Sequence, residues 1–318
     1  MNIVVLERHS VGTDVNVDCF MELGNTTYYR NTVASEVAER VKDADIVIAN
    51  KSPLNESTLK DAPNVKMIAE FATGFDNVDL DYCNKRGIIV CNVRNYSTEA
   101  VAQHTFAMLL YLLEHLPHYD NYVKSGEYAA QDRFSNFDIQ FTELAGKTWG
   151  IVGMGNIGKL VAKIAEAFGC KVICYSASGR KLESDYTQVD FDTLLTQSDF
   201  LSLHCPLTDK TKYLIDKNAL SKMKPTAYLL NVARGKVVNN TDLYEALENG
   251  IIKGAGLDVI EEEPINDNNP LSLVKDSDKL IITPHLAWAS IEARQRCVDI
   301  AYENVKAFMN GNPINVVN

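Results

Sequence analysis

The apolar run Trp149 to Val152 is followed at once by Gly153-Met154-Gly155-Asn156-Ile157-Gly158, and then by the amphipathic stretch Lys159 to Phe168. A strand, a glycine-rich turn and a helix in that order leave few options. Gly153 permits a tight turn, Gly155 lets the backbone approach a bound group, and Gly158 lets the helix pack closely on the strand. The helix N-terminus then offers unpaired amides to an anion, as in a pyrophosphate cradle. Gly153, Gly155 and Gly158, with Asn156 and Ile157 between them, are therefore candidate cofactor-binding residues. A glycine turn without a ligand is the plain alternative, but three glycines at this spacing exceed what packing requires.

Around this unit, apolar strand-like runs alternate with amphipathic stretches along the whole chain, the pattern of a parallel-sheet α/β protein. Strands are predicted at Ile3–Leu6, Ile46–Ala49, Met67–Phe71 and Ile88–Cys91, with helical segments at Val33–Lys42 and Asp79–Arg86. Residues 1–96 thus read as one open sheet. Ser97, a plausible N-cap with Glu99 in the first turn, opens a long helix whose Val101, Thr105, Phe106, Leu109, Leu110 and Leu113 recur at helical spacing. After a polar loop at Ser125–Leu144 a second series follows, with strands at Trp149–Val152, Val172–Tyr175, Phe200–Leu203, Ala227–Asn231, Gly254–Val259 and Leu280–Ile282. A last helix, Ile291–Met309, has an apolar stripe of Ala293, Val298, Ala301, Val305 and Phe308, which must be buried somewhere and is expected to lie back across the first domain.

Composition narrows the function classes. A length of 318 residues suits two domains, and 46% hydrophobic with 23% charged residues is ordinary for globular proteins. The net charge of −11 argues against a nucleic-acid partner or an anionic membrane surface. No run approaches the roughly 20 apolar residues that cross a bilayer, and Met1–Arg8 is too short for a signal-peptide core. The seven cysteines form no Cys-x-x-Cys pair, so neither a disulfide framework nor a metal site is expected. Reduced core thiols fit a cytoplasmic protein.

The strand Lys171–Tyr175 should end in an acidic residue if the cofactor is NAD, because a carboxylate there bonds the ribose hydroxyls. Ser176 stands at that point instead, and Ser178, Gly179, Arg180 and Lys181 follow. A serine and two cations suit a ribose phosphate, which makes NADP a candidate; as solvated loop charges, Arg180 and Lys181 leave NAD open.

Three further stretches fall where loops follow strands, at the carboxyl edge where α/β sheets bind ligands. They are Asn231-Val232-Ala233-Arg234-Gly235, Leu257-Asp258-Val259-Ile260-Glu261-Glu262-Glu263-Pro264 and Thr283-Pro284-His285-Leu286-Ala287-Trp288. With the glycine turn, their order and spacing resemble the D-isomer-specific 2-hydroxyacid dehydrogenase family over essentially the whole chain. The resemblance implies an α/β fold of two Rossmann-like, doubly wound parallel-sheet domains with a cleft between them. It implies a substrate domain of residues 1–96 plus 286–318 and a dinucleotide-binding domain of residues 97–285. Carried over residue by residue, the catalytic set is Arg234, Glu263 and His285.

The chemistry suits those residue types. Reducing a 2-oxo acid needs a cation that fixes the carboxylate and polarises the carbonyl, which a planar guanidinium does well. It needs an acid for the developing alkoxide near neutral pH, a task for histidine. A neighbouring carboxylate orients the imidazole and holds its tautomer. Taken singly, Arg234 reads equally as a surface cation, Glu263 as part of a solvated acidic run and His285 as a satisfied histidine; the joint order and spacing favour the set. His9, His104, His115 and His118 lie where loop or helix positions explain them.

By the same resemblance, His204, Cys205, Pro206, Val232, Ala233, Asp258 and Val101 line the cofactor. Lys51, Thr73, Gly74 and Trp288, with Arg234 and His285, meet the substrate, Trp288 narrowing the pocket or merely packing in a core. A homodimer is expected. The run from His285 to Asn318 leaves no room for the regulatory domain of longer phosphoglycerate dehydrogenases, and Glu263 replaces the glutamine of the formate dehydrogenases. Pro284–Ser290 with Glu292-Ala293-Arg294 looks most like glycerate dehydrogenases, also called hydroxypyruvate reductases. Glyoxylate reduction and D-lactate-forming pyruvate reduction are alternatives, and a nicotinamide-sensing corepressor-like regulator is one of another class.

Overall fold

A computed structural model describes residues 1–182 and 185–318. The chain divides into two compact units, Met1–Ser97 with Trp288–Asn318, and Thr98–Ala287.

The first unit holds a five-stranded parallel sheet of β1 (Asn2–Val5), β2 (Asn25–Tyr28), β3 (Ile46–Ala49), β4 (Met67–Glu70) and β5 (Ile89–Cys91), in the order β2-β1-β3-β4-β5. The strand order reverses between β1 and β3, so the carboxyl ends of these neighbours open a crevice. β3 and β4 are buried at every position, as central strands of a parallel sheet covered on both faces must be. Helices α1 (Val37–Val41), α2 (Glu56–Leu59) and α3 (Leu80–Arg86) link the strands. Asp79 caps α3 through the amide of Tyr82, and Gly87 ends it in the left-handed conformation. The C-terminal helix Ile291–Met309, capped by Ser290, packs on β4 and buries Ala293, Cys297, Val298, Ala301 and Val305.

The second unit holds a seven-stranded parallel sheet. Its strands are β6 (Thr148–Val152), β7 (Lys171–Tyr175), β8 (Thr187–Gln188), β9 (Phe200–Leu203), β10 (Tyr228–Asn231), β11 (Gly254–Leu257) and β12 (Leu280–Ile282), ordered β12-β11-β10-β9-β6-β7-β8. This is the doubly wound arrangement with its switch point beside β6, where the glycine turn begins. The long helix α4 (Thr98–Leu113) is followed by α5 (Leu116–Lys124), α6 (Glu127–Ala130), α7 (Asn156–Ala167), α8 (Phe191–Gln197), α9 (Lys217–Lys222) and α10 (Asn240–Glu248). Trp149 on β6 is fully buried between Phe106 and Phe200, and its indole N–H donates to Ser202 at 2.8 Å. That bond lets so large a ring with a polar atom sit in the core. β11 is unusually small-residued, Gly-Ala-Gly-Leu, and a Cβ at Gly256 would press on Leu230 and Met108. The missing side chain is what lets α4 lie close against β11. No described helix is long and apolar enough to cross a membrane.

Candidate active site

Three consecutive strands of the second sheet deliver the three candidate residues from their carboxyl ends. Arg234 follows β10, Glu263 follows β11 and His285 follows β12. Arg234 is set by the turn that precedes it: buried Asn231 accepts from the amide of Ala233 at 3.1 Å and donates its side-chain amide to the Arg234 carbonyl at 3.0 Å. The guanidinium Nη1 donates to the Ala233 carbonyl at 2.8 Å. Gly235 then meets the backbone of Ile260 and Glu261 so closely that any Cβ would overlap it. This close approach holds the arginine turn against the loop that carries Glu263.

Each carboxylate of the acidic run Glu261–Glu263 has its own partner, although Glu262 and Glu263 are exposed. Glu261 accepts from the amide of Asn240 at 2.6 Å and from the Tyr213 hydroxyl at 2.9 Å. Glu262 accepts from Asn266 at 2.7 Å. Glu263 accepts from the amide of Ile260 at 3.2 Å through Oε1, and its Oε2 lies 2.6 Å from Nδ1 of His285. Since an ionised carboxylate only accepts, the proton of this bond sits on Nδ1. Both side chains are about a third exposed, at 32% and 33%, so the imidazole is held but reachable.

His285 adopts a left-handed backbone, with φ 52°, rare for a residue with a Cβ. Asp258, buried at the end of β11, over-determines that conformation. Its carbonyl accepts from the amide of His285 at 2.9 Å, while its carboxylate accepts from the amides of Leu286 at 2.8 Å and Ala287 at 2.9 Å and from the Thr283 hydroxyl at 2.6 Å. Asp258, a predicted cofactor residue, thus has its carboxylate turned to the histidine loop. His104, which its helix position alone explains in the sequence, has its Nε2 3.0 Å from the Thr283 hydroxyl and 3.7 Å from Asp258. Its only signal in the sequence is the i,i+4 spacing to Met108, which puts it on the face of α4 that meets β11.

The glycine turn has the shape a dinucleotide needs. Gly153 has φ 94°, and a Cβ there would press on His204 and Cys205; at Gly158 it would strike the Gly153 carbonyl. Gly155 differs: a Cβ there would project into open space. Packing therefore explains two of the glycines and leaves the third for a group that comes from outside. Asn156 and Ile157 form the first turn of α7, with Gly155 at its N-cap, the end of a helix that favours an anion. The amide of His204 donates to the Val152 carbonyl at 2.8 Å, so His204, Cys205 and Pro206 start a loop beside the turn. Burial pulls the pKa of His204 down to about 3, which keeps it neutral. Val232 and Ala233 lie in the arginine turn, and Val101 is buried on α4.

After β7, Ser176 is buried and its hydroxyl lies 3.0 Å from that of Ser178. Gly179 turns the chain with φ 75°, and Arg180 and Lys181 are exposed. In the first unit, Lys51 follows β3, and its amide donates to buried Glu7; Thr73 follows β4, and its hydroxyl donates to the Val93 carbonyl at 2.7 Å, next to half-buried Gly74. Trp288 also belongs to this unit, where its ring stands edge-on to Tyr96 at 6.0 Å. Among the described residues no cluster of His, Cys, Asp and Glu could hold a metal ion.

Residues 106–287 match the model of the D-isomer specific 2-hydroxyacid dehydrogenase, NAD binding domain. The chain belongs to that family. It is 38% identical to a hydroxypyruvate reductase of Blautia hydrogenotrophica over 100% of both chains, and 41% identical to a glycerate dehydrogenase of Methylorubrum extorquens over 99% of this chain and 98% of the relative. A crystal structure of D-lactate dehydrogenase from Aquifex aeolicus, complexed with NAD and lactic acid, superposes with a TM-score of 0.85 at 31% identity over 100% of both chains. The protein is an NAD(P)-dependent D-2-hydroxyacid dehydrogenase family enzyme, built on two all-parallel α/β sheets.

Proposed function

We propose that this dehydrogenase interconverts hydroxypyruvate and D-glycerate, with Arg234, Glu263 and His285 as its catalytic residues. The observation that carries the reading is the 2.6 Å pair of His285 and Glu263, presented after the two strands next to the one that Arg234 follows, at the carboxyl edge of the cofactor sheet. The nicotinamide cofactor, when bound, supplies or receives the hydride. The remaining tasks fall to the chain's own groups. Arg234 holds the substrate carboxylate and draws electron density from the carbonyl oxygen. Nδ1 of His285 is committed to Glu263, so Nε2 gives the proton to the alkoxide oxygen during reduction and takes it back during oxidation. Lys51, Thr73, Gly74 and Trp288 are assigned to the substrate, a reading that rests on the family resemblance.

The names of the two relatives favour hydroxypyruvate and glycerate; the likeness to a lactate dehydrogenase keeps pyruvate in the test set. Buried Ser176 beside Ser178, with exposed Arg180 and Lys181 beyond, supports acceptance of NADP. Seven free thiols, six of them buried, support a reducing compartment such as the cytoplasm. A homodimer is supported by the second unit's segment 116–141, which leaves Phe134 89% and Phe137 71% exposed beside Leu116, Val123 and Phe141.

The test is the initial rate of NADH and NADPH oxidation with hydroxypyruvate, glyoxylate and pyruvate in parallel. The expected result is the highest kcat/KM with hydroxypyruvate. A clear winner among the other two acids replaces the substrate, and no turnover with any pair removes all three acids in favour of a bulkier 2-oxo acid or a nicotinamide-sensing role.

A further inference from the structure

A hydrogen-bonded chain runs from helix α4 to the loop that carries His285. Thr283 has one hydroxyl proton, and its 2.6 Å contact with Asp258 Oδ1 uses it, because the carboxylate can only accept. The 3.0 Å contact between Thr283 Oγ1 and His104 Nε2 must then be donated by the ring. His104 is thereby fixed as the tautomer with its proton on Nε2. Burial pulls its pKa down while Asp258 pulls the other way.

His104 Nε2–H donates to Thr283 and the Thr283 O–H donates to Asp258, whose two carboxylate oxygens also accept from the amides of Leu286 and Ala287. The Asp258 carbonyl adds the amide of His285 itself. Asp258 is buried and His104 and Thr283 are half-buried, so the bonds among these three are worth more than in water, and neighbouring bonds polarise one another. Asp258 receives three bonds on its two oxygens, and the Thr283 oxygen that supplies one of them is tied from its other side by a donor. His104 is that donor. Met108, one turn further along α4, packs on Gly256, which fixes the distance of the helix from the strand that ends in Asp258.

We propose that His104 is a positioning residue for His285: it orients Thr283, and through Asp258 it holds the left-handed histidine loop in the geometry that delivers the proton. The proposal rests on the reading of His285 as the acid. It assigns His104 no contact with substrate.

The test uses His104→Ala, His104→Gln and Thr283→Val, singly and as the His104→Ala/Thr283→Val pair, with initial rates and hydrogen exchange of the peptide spanning 285–287. Glutamine places an N–H donor the same number of bonds from the backbone as Nε2, so it should restore what alanine loses. Expected for His104→Ala are a kcat about tenfold lower, a KM within about twofold of the parent, and exchange about tenfold faster in that peptide. Thr283→Val should match it, and the pair should lose no more than either alone, because both break one chain. Unchanged exchange and kcat in His104→Ala, or losses that multiply in the pair, overturn the proposal. Exchange is read without turnover, so a parent enzyme inactive on every 2-oxo acid ends the catalytic reading while the positioning of the loop is still judged.

Discussion

Nδ1 of His285 and Oε2 of Glu263 lie 2.6 Å apart, joining a residue after β12 to one after β11. In the proposed reaction Nε2 exchanges the proton, so loss of the histidine should be felt in chemistry rather than in cofactor binding. We predict that His285→Ala lowers kcat by about 10²- to 10⁴-fold, the usual worth of a positioned acid. Cofactor affinity, read by quenching of intrinsic fluorescence, should stay within about twofold. Normal turnover in this variant would sink the assignment.

Gly155 separates binding from packing. Its φ of −73° is open to any residue, and a Cβ there touches nothing. Gly155→Val should therefore leave the unfolding midpoint within a few degrees of the parent, yet fill the space kept for a pyrophosphate. Dissociation constants for NADH and NADPH should each rise at least about tenfold. A variant that binds both normally would place the phosphates elsewhere.

Ser176 is buried at the end of β7, next to the turn, where a carboxylate would meet the ribose hydroxyls and repel a ribose phosphate. We predict that Ser176→Asp moves the ratio of kcat/KM for NADPH over NADH down by at least about tenfold. Parallel kinetics with both cofactors decide it, and an unmoved ratio leaves Arg180 and Lys181 as plain loop charges.

These sites were legible to different depths in the sequence, for physical reasons. Strands buried on both faces announce themselves as continuous apolar runs, and Ile46–Ala49 and Phe200–Leu203 fall where periodicity puts them. The C-terminal helix Ile291–Met309 does as well. The edge strand β2, Asn25–Tyr28, is Asn-Thr-Thr-Tyr with no fully buried position, so it carries no such signal. Val33–Lys42 reads as one helix but divides into a 3₁₀ turn, Ala34–Glu36, and α1, because Glu36 bonds back to the amide of Val33. The helix after the glycine turn begins at Asn156 rather than Lys159, since its first turn is made by the glycine motif itself. Glu263 and His285 were legible through motif spacing. The link from His104 to Asp258 was not, because it depends on how closely α4 approaches β11, a tertiary distance set by the absent side chain of Gly256.

The exposed aromatic segment of the second unit gives a prediction independent of catalysis. Phe134 and Phe137 are the kind of large apolar groups that a monomer rarely leaves in water. Sedimentation equilibrium should give twice the monomer mass for the parent and a shift toward monomer for Phe134→Ser/Phe137→Ser. A monomeric parent at micromolar concentration removes the dimer.

Glu70 offers a test of stability in the first unit. It is fully buried on β4, and burial is the main reason its pKa rises from 4.5 to about 8; Asn77, donating at 3.1 Å, and Lys51 pull it down, and Glu7 pushes it up. An acid whose folded pKa exceeds its unfolded value binds its proton more tightly in the folded state. The stability it contributes is therefore whole below pH 4.5 and is lost as pH climbs toward 8. At about 1.4 kcal/mol per pH unit, the loss by neutrality is on the order of 3 kcal/mol. Glu70→Gln keeps an oxygen for Asn77 and has no proton to lose, so its urea midpoint should fall less between pH 5 and pH 8 than that of the parent, and the two curves should separate as pH rises. Parallel curves across that window would mean that the folded protein holds Glu70 ionised at neutral pH, with its charge met by the lysine and asparagine that face it.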